Sequence, residues 1–465
     1  MVHLFTHYVP GRLLLLVILE TLILLFAAFA GLSLDYVGAG EAAVFRLEKL
    51  FLPEVLIFAS GMMVVMLSMG LYGWDAWRDT RSIGVRLAGA FLLGFLALAV
   101  LSHWSSSLSP GFGAISAMIA IALPGTWAVR TGFDWWNSLS SFKSRVLVLG
   151  TGSRVSRLAE YRRHHSHSEI VGYLALKPAM HYVPASRILT LGPEDTLLSL
   201  VKKHAIDQIV VAVRDRRGGG LPIQELLECK AAGINVVELA TYFEREYRQV
   251  MLESLNPSWM VLGDGFRQGL MDRAVKRMFD LTISVMLLVL TLPIVLVSAL
   301  LIFLESGWPV FYRQERVGRD GRVFKVLKLR SMKHDAERDG TPHWASPNDE
   351  RTTIVGRFIR KWRIDELPQL FNVLRGEMSL VGPRPERPQF VEQLEKQIPY
   401  YALRHSAKPG ITGWAQVRYP YGASVDDAVE KLQYDLYYVK NRGLFLDLAI
   451  LLATVEVVLW GRGAR

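Results

Sequence analysis

Apolar residues along this chain fall into two kinds of run. In the first 130 residues they form four near-continuous stretches, about 12–33, 51–73, 84–103 and 108–129. Each approaches the ~20 apolar residues that a membrane-crossing helix needs. The first run has no small-residue cleavage site with a polar follow-on, which argues against a signal peptide. Between 144 and 262 the runs shorten to strand length. "RVLVLGTG", "IVGYLAL", "QIVVAV" and "INVVEL" alternate with polar, helix-like segments. That alternation predicts a parallel sheet with crossover helices. A fifth long run covers 281–304 and holds Pro293 near its middle. Beyond it, apolar and cationic positions interleave as far as a final run, "LFLDLAILLATVEVVLW". The chain therefore reads as four transmembrane helices over 1–130, a cytoplasmic α/β domain over 144–262, a membrane helix over 270–304, and a mixed α/β domain over 305–465.

Charge decides how these blocks face the membrane. The first loop, 34–50, carries Asp35, Glu41 and Glu48 against Arg46 and Lys49, whereas the second carries Arg78, Arg81 and Arg86. Arg130, Lys143 and Arg145 follow the fourth run. Positive loops stay inside, so both ends of the block should be cytoplasmic. Glu20, inside the first span, reads either as a functional group or as a structural one near the membrane edge or in a helix contact. The fifth run is basic on both flanks, with Arg267, Arg273, Lys276 and Arg277 before it and Arg313, Arg316, Arg319 and Arg322 after it. Proline removes a backbone donor and kinks a helix. The expectation is a re-entrant helix hairpin that turns back near Pro293, with an ordinary kinked span as the alternative. Lys276 and Arg277 would sit at the level of lipid phosphates. The final run is short for a span and carries Asp447 and Glu456, so it reads as a helix at the membrane surface.

The glycine turn of the α/β domain is incomplete. Gly150 and Gly152 are present, but Val155 stands where a dinucleotide fingerprint has its third glycine. Lys177 and Pro178 follow the second strand, where an acid would hold a ribose. This is a degenerate Rossmann-like domain with a regulatory or scaffolding role. The alternative, a membrane-bound NAD-dependent sugar-nucleotide dehydratase or epimerase, draws on "YLALK", Tyr173 to Lys177. That pattern lies on a predicted strand and turn.

Composition adds a partner class. The 465 residues are 51% hydrophobic yet carry a net charge of +10. Between Arg313 and Arg363 stand 14 lysines and arginines against 7 acids. Such a block suits phosphates or anionic lipid. A single cysteine, Cys229, excludes an internal disulfide and a cysteine-based zinc site.

The candidate chemistry lies in that last block. "FKVLKLRSM" reads as a strand with Lys328 and Arg330 on one face, a candidate phosphate clamp. In "KWRIDELPQLFNVLRG", Pro368 marks a helix start or restart near Asp365, and Gly376 marks its C-cap. Asp365 and Glu366 then sit at a positive helix end, which favours their ionised forms. They could flank one Mg2+, or one of them could attack phosphorus. Taken alone, the dipeptide reads more often as an N-cap with a solvated glutamate. In "MSLVGPRPERPQF", Gly382 permits close backbone approach, and Pro383 and Pro385 hold Arg384 in a preset fork suited to phosphate. Glu386 follows at once, to serve a metal or hold an arginine. "RHSAKPGITGWAQVR" adds Arg404, Lys408 and Gln416 around another Gly/Pro loop.

"YRQERVGRDGRVFKVLKLRSM", "RIDELPQLFNVLRGEMSLVGPRPE" and "KPGITGWAQV" resemble the bacterial sugar transferases, the monotopic-fold phosphoglycosyl transferases. The resemblance covers roughly 270–465. The whole layout resembles the long form found in exopolysaccharide biosynthesis, and the ending resembles a subgroup associated with exosortase-type loci. It implies transfer of a sugar 1-phosphate from a UDP-sugar to undecaprenyl phosphate with release of UMP, at the cytoplasmic face of the bacterial inner membrane. It implies Asp365 as nucleophile, Glu366 as ligand of Mg2+ (or Mn2+), a re-entrant anchor around Pro293, and Arg384 on phosphate. Lys328, Arg330, Arg363, Glu386, Arg404 and Gln416 are further site candidates. The expected partners are the two substrates, the bilayer and a second copy of the chain, but not nucleic acid. A non-enzymatic scaffold for polymer assembly is the remaining alternative, and it leaves the Asp–Glu pair and Arg384 without a role. After "GWAQV" the chain reads "RYPYGAS" where many relatives carry Asn-Gly-Arg, so the sugar stays open.

Overall fold

The computed structural model describes residues 2–4, 7–9, 11–37, 42–72, 80–104, 112–138, 144–161, 168–176, 182–192, 195–213, 221–255, 269–333, 351–419, 422 and 424–460. Several residues read from the sequence lie outside this set: Glu41, Arg78, Lys143, Lys177 and Pro178, and, within "RYPYGAS", Pro420, Tyr421 and Ala423.

The four N-terminal apolar runs are helices α1 (Gly11–Val37), α2 (Ala42–Ser68), α3 (Thr80–Trp104) and α4 (Phe112–Ser138). Helix α1 runs past its apolar window and α2 begins before its own, so the first connection is shorter than the apolar runs suggest, whereas α2 ends and α4 begins inside theirs. Leu13–Leu34, Ile83–Val100 and Gly113–Phe133 are each long and apolar enough to cross a membrane, and Pro53–Ser68 is a shorter apolar stretch. Their shared interior is built from Leu24, Ala27, Ala28, Phe58, Met62, Ala90, Phe91, Ala114 and Met118. Small residues let helix backbones approach where no hydrophobic drive operates in lipid. Glu20 is fully buried and ion-paired with Arg130 at 2.6 Å, with the Tyr72 hydroxyl donating to the same carboxylate. Its structural role in a helix contact is therefore explicit.

The α/β domain is a five-stranded parallel sheet. Its strands are β3 (Ser144–Leu149), β4 (Ser168–Leu174), β5 (Ile188–Leu189), β6 (Gln208–Val211) and β7 (Asn235–Glu238), in the order β5-β4-β3-β6-β7. Strands β1 (Val2–Leu4) and β2 (His7–Val9) form a separate N-terminal hairpin. The helices of the domain are α5 (Ser153–Tyr161), α6 (Leu197–Lys203), α7 (Ile223–Ala231) and α8 (Leu239–Tyr247). Val146, Leu147, Val148 and Leu149 are wholly buried, as expected for a central strand covered on both faces. Tyr173 is also buried in this core, so the Tyr-x-x-x-Lys reading has no exposed tyrosine to act.

Helix α9 (Leu270–Ser306) carries the fifth apolar run. Asp272 caps it by accepting the Gly269 N–H at 3.1 Å. The turn expected near Pro293 is not formed: the helix runs unbroken through Pro293 for 37 residues. Its two ends are nevertheless tied to one domain. At the start, Arg277 donates to the carbonyls of Val373 and Leu374 at 2.6 and 2.8 Å, and Lys276 pairs with Asp280 and Asp447. These two cations are engaged within the protein rather than at lipid phosphates. At the other end, the Glu305 carboxylate accepts the N–H groups of Ile354 and Val355. Between these ties, Val289, Leu290, Leu296 and Leu304 are exposed.

The C-terminal domain follows with an antiparallel hairpin, β8 (Phe311–Val317) and β9 (Val323–Leu329), then α10 (Ile354–Lys361) and α11 (Leu370–Arg375). A parallel pair, β10 (Ser379–Val381) and β11 (Gly410–Thr412), flanks α12 (Pro388–Gln397). Helices α13 (Trp414–Arg418), α14 (Val425–Asn441) and α15 (Leu444–Leu459) complete it. Helix α15, expected at the membrane surface, buries Leu446 and Ile450 in the core of the C-terminal domain, while Leu448, Val455 and Leu459 stay exposed. That core also takes in Val250 and Leu255, from the chain assigned by sequence to the preceding domain.

Candidate active site

The Asp–Glu pair sits on a short 3-10 helix of six residues, Ile364–Gln369. Arg363 adopts a left-handed backbone (φ 55°), which breaks α10 from this turn. Gly376 ends α11 in the same region (φ 84°), the C-cap expected from sequence. Strand β9 runs beside the turn. Asn372, wholly buried, fixes that alignment: its Oδ1 accepts the Leu327 N–H at 3.0 Å and its Nδ2 donates to the Lys325 carbonyl at 2.8 Å. A side-chain amide thus does what a neighbouring strand would do for the β9 edge.

The result is a cationic cage around one carboxylate. Glu366 Oε1 accepts from Arg384 at 3.0 Å and from Lys328 at 3.4 Å, and Oε2 lies 3.7 Å from Arg363. Burial opposes ionisation of Glu366, but Arg384, Lys328 and Arg363 together outweigh it and hold the carboxyl well below its ordinary range. Asp365 behaves oppositely. Burial first, then the Glu366 charge beside it, push its pKa up to about 6, against the pull of Lys328, Arg360 and Arg384. Two adjacent carboxylates are thereby driven apart in acidity, the pattern that assigns different roles to a pair.

Arg384 is aimed from the loop after β10. Gly382 is required there, because a Cβ would run into the Lys408 carbonyl and the Gly410 nitrogen. Arg404 supports the loop from beneath. Its guanidinium donates to the Arg384 carbonyl at 2.9 Å, to Asp435 at 2.7 and 3.0 Å, and to the Tyr401 hydroxyl at 2.9 Å. Burial opposes the Arg404 charge, and the facing Tyr401 and Asp435 more than restore it. Its donors are thus committed to the protein, which corrects the expectation of a phosphate-binding Arg404.

These groups line a cavity of about 200 Å3. Of the residues read from sequence, it brings together Lys328, Arg363, Asp365, Glu366, Arg384, Glu386, Arg404 and Gln416. Arg330 is not among its lining residues. It donates to the carbonyls of Ser306 and Gly307 at 2.8 and 2.7 Å and so fastens the end of α9. Sequence reading missed Arg360, Tyr419, Lys431 and Asp435, which also line the cavity. Arg360 had a signal, one helical turn before Arg363. Asp435 had none, since only the fold brings α14 to this wall.

The arrangement can bind a dianionic or trianionic group and present one basic carboxylate to it. A family model for the bacterial sugar transferase matches residues 271–461. A UDP-N-acetylgalactosamine-undecaprenyl-phosphate N-acetylgalactosaminephosphotransferase of Aeromonas hydrophila is 33% identical over 421 residues, covering 90% of this chain and 97% of that protein. A UDP-glucose:undecaprenyl-phosphate glucose-1-phosphate transferase of Xanthomonas campestris pv. campestris is 33% identical over 335 residues, 68% of this chain and 66% of that protein. An undecaprenyl-phosphate glucose phosphotransferase of Komagataeibacter xylinus is 44% identical over 198 residues, 42% of this chain and 37% of that protein. Matched along nearly the full length of the Aeromonas protein, with the family's own model lying over the cavity, this membrane protein belongs to the bacterial sugar transferase family.

Proposed function

We propose that the chain transfers a sugar 1-phosphate from a UDP-sugar to undecaprenyl phosphate, releasing UMP, as the first step of exopolysaccharide synthesis. The observation that carries this is the Asp365–Glu366 pair, opening on a cavity with Lys328, Arg360, Arg363 and Arg384 around it. The names of the relatives supply the reaction class.

Asp365 is the nucleophile. Its carboxylate oxygen forms a bond to the β-phosphorus, the bond from that phosphorus to the bridging oxygen breaks, and UMP leaves with the electron pair. An oxygen of undecaprenyl phosphate then attacks the same phosphorus. The acyl-phosphate bond breaks, the diphosphate product forms and the Asp365 carboxylate is restored. Two anionic substrates visit in turn, so their charges never meet in one site. Lys328, Arg363 and Arg384 offset the charge spread over the transferring group. The raised Asp365 pKa makes a more basic nucleophile that is still ionised at neutral pH.

Divalent metal fits the donor chemistry. Among the described residues no cluster of three or more His, Cys, Asp or Glu side chains could hold an ion. The protein supplies Glu366 with Asp365 beside it, and substrate phosphates would complete the shell, as Mg2+ prefers. Mg2+, or Mn2+ in its place, would neutralise part of the diphosphate charge when bound.

The site faces the cytoplasm, and helix α9 enters and leaves the inner membrane by that same face as one continuous helix, without a hairpin turn at Pro293. Support comes from the ties of both its ends to one domain and from the exposed apolar residues between them.

A screen of UDP-sugars with undecaprenyl phosphate tests the reaction. UMP release by the wild type, lost in Asp365→Asn, is expected; equal release by the variant overturns Asp365 as nucleophile. With UDP-sugar alone, one UMP per enzyme and a phosphosugar adduct on the Asp365 peptide are expected, and their absence removes the covalent step. For topology, Asp320→Cys should react with impermeant thiol reagents only after cell lysis. Labelling from outside intact cells would sink the re-entrant arrangement.

A further inference from the structure

The α/β domain does not stop at its sheet. The chain leaving α8 turns at Arg248, whose left-handed backbone (φ 56°) is unusual for a residue with a side chain. It then enters the catalytic core, where Val250 and Leu255 are buried with Trp414, Leu432, Leu436 and Tyr437. Four hydrogen bonds mark this path. The Trp414 indole donates to the Arg248 carbonyl at 3.0 Å. The Val250 N–H donates to the Gln433 carbonyl at 3.1 Å. Lys440 and Asn441 donate to the two oxygens of Glu244 at 2.7 and 2.9 Å. Glu244 is itself buried.

The recipients are not arbitrary. Trp414 opens α13, which carries Ala415 and Gln416 into the cavity. Arg418, one turn on, stacks over the Trp414 ring at 4.5 Å. Gln433, Lys440 and Asn441 belong to α14, which carries Lys431 and Asp435 to the same cavity. One segment of the α/β domain thus grips both α13 and α14, which contribute Ala415, Gln416, Lys431 and Asp435 to the cavity that Asp365 and Glu366 also line. Side chains on short helices hold sub-ångström geometry only if the helices themselves are fixed.

We propose that Glu244, with the Arg248–Val250 backbone, is a positioning element for the transferase site, acting through α13 and α14. The α/β domain then contributes to turnover without touching substrate. This rests on the functional reading above.

The test uses the full-length chain in nanodiscs. Glu244→Lys should lower kcat/KM for UMP release roughly tenfold, since small misplacements of a reacting geometry are costly. Adding Lys440→Glu to that background should recover most of the loss, with kcat/KM in each variant measured per folded molecule at a temperature well below its unfolding transition so that destabilisation alone cannot account for the difference. Hydrogen exchange at residues 414–418 should rise in Glu244→Lys and fall back in the double variant. If Glu244→Lys does not fold, Asn441→Leu, which removes one of the two Glu244 partners, is measured in the same way. Wild-type kcat/KM together with wild-type exchange at 414–418 would overturn the proposal, as would a loss that Lys440→Glu leaves untouched. The exchange measurement needs no turnover, so failure of the enzyme to release UMP at all would strike the functional reading and leave this one standing or falling on exchange.

Discussion

Asp365 and Glu366 are neighbours in sequence with opposite environments, and each makes its own prediction. Burial and the Glu366 charge raise the Asp365 pKa from 3.8 to about 6 in the fold. The folded protein therefore holds that proton more tightly than the unfolded chain. The stability it gains is full below about pH 4 and is lost as pH rises through about 6. Asp365→Asn should thus unfold at higher temperature than the wild type at pH 7, by on the order of 2 kcal/mol, with the advantage gone by pH 4. Thermal unfolding at the two pH values measures it, and an equal gain at both would show that charge burial is not the cause. Turnover by the wild type runs the other way. It should fall as pH drops through about 6, because a protonated Asp365 cannot attack. The dipeptide was legible as chemistry only in company. In isolation it read as a helix cap, and it took the Lys328 strand and the Arg384 loop to distinguish a cage from a cap. Arg330 and Arg404 show the converse limit. Alternation along a strand and proximity to a Gly/Pro loop marked both as phosphate ligands, yet Arg330 turns its Nη2 to the carbonyls of Ser306 and Gly307, and Arg404 gives its donors to Asp435, the Tyr401 hydroxyl and the Arg384 carbonyl.

Among elements, the periodicity of apolar residues carried most of the architecture. Four of the five parallel strands stand where short apolar runs predicted them, and the missed one, Ile188–Leu189, is too short to show a period. Helix α9 illustrates what periodicity cannot convey. Basic flanks and a proline indicated a reversal, but the proline is accommodated inside a continuous helix. The ties that hold its ends come from partners distant in sequence. Asn372 is another such partner. It was invisible as anything but a polar residue on an amphipathic helix, yet it registers β9 against the turn that bears Glu366. Asn372→Leu keeps the volume and strands the Leu327 N–H and Lys325 carbonyl. The expected cost is about 1–2 kcal/mol for two part-buried backbone groups, with UMP release falling because Lys328 loses its alignment with Glu366. Near-wild-type turnover in a folded Asn372→Leu protein would show that β9 is registered by its hairpin partner alone.

At the scale of the whole molecule, the N-terminal bundle and the C-terminal helix meet at one buried arginine. Arg86, on α3, donates to the Gly70 carbonyl at 3.1 Å and to Glu456 of α15 at 2.7 Å, beneath the Trp460 ring. Glu456 packs directly on Gly70, at a turn whose positive φ of 73° suits glycine. From there α15 runs on to the catalytic loops. Thr454 bonds the Thr412 hydroxyl at 2.7 Å, and Asp447 accepts from Tyr438, whose hydroxyl also reaches the Val381 carbonyl before Gly382. Nothing local in the sequence pairs residue 86 with residue 456, and the two acids of the final run read only as interruptions. Removing one partner of a buried charge pair costs more than the pair contributes, since the other charge is left desolvated. The two truncations should therefore be unequal. Glu456→Gln leaves Arg86 its carbonyl partners and should cost about 1 kcal/mol. Arg86→Met also strands those carbonyls and leaves Glu456 facing the bundle unpaired, for about 3 kcal/mol. In the double variant the cost should fall below the sum, because the lone carboxylate is gone. Thermal unfolding of the four proteins in nanodiscs gives the coupling. Strict additivity would mean that α15 is held to the bundle by apolar packing, with the arginine serving only the Gly70 turn.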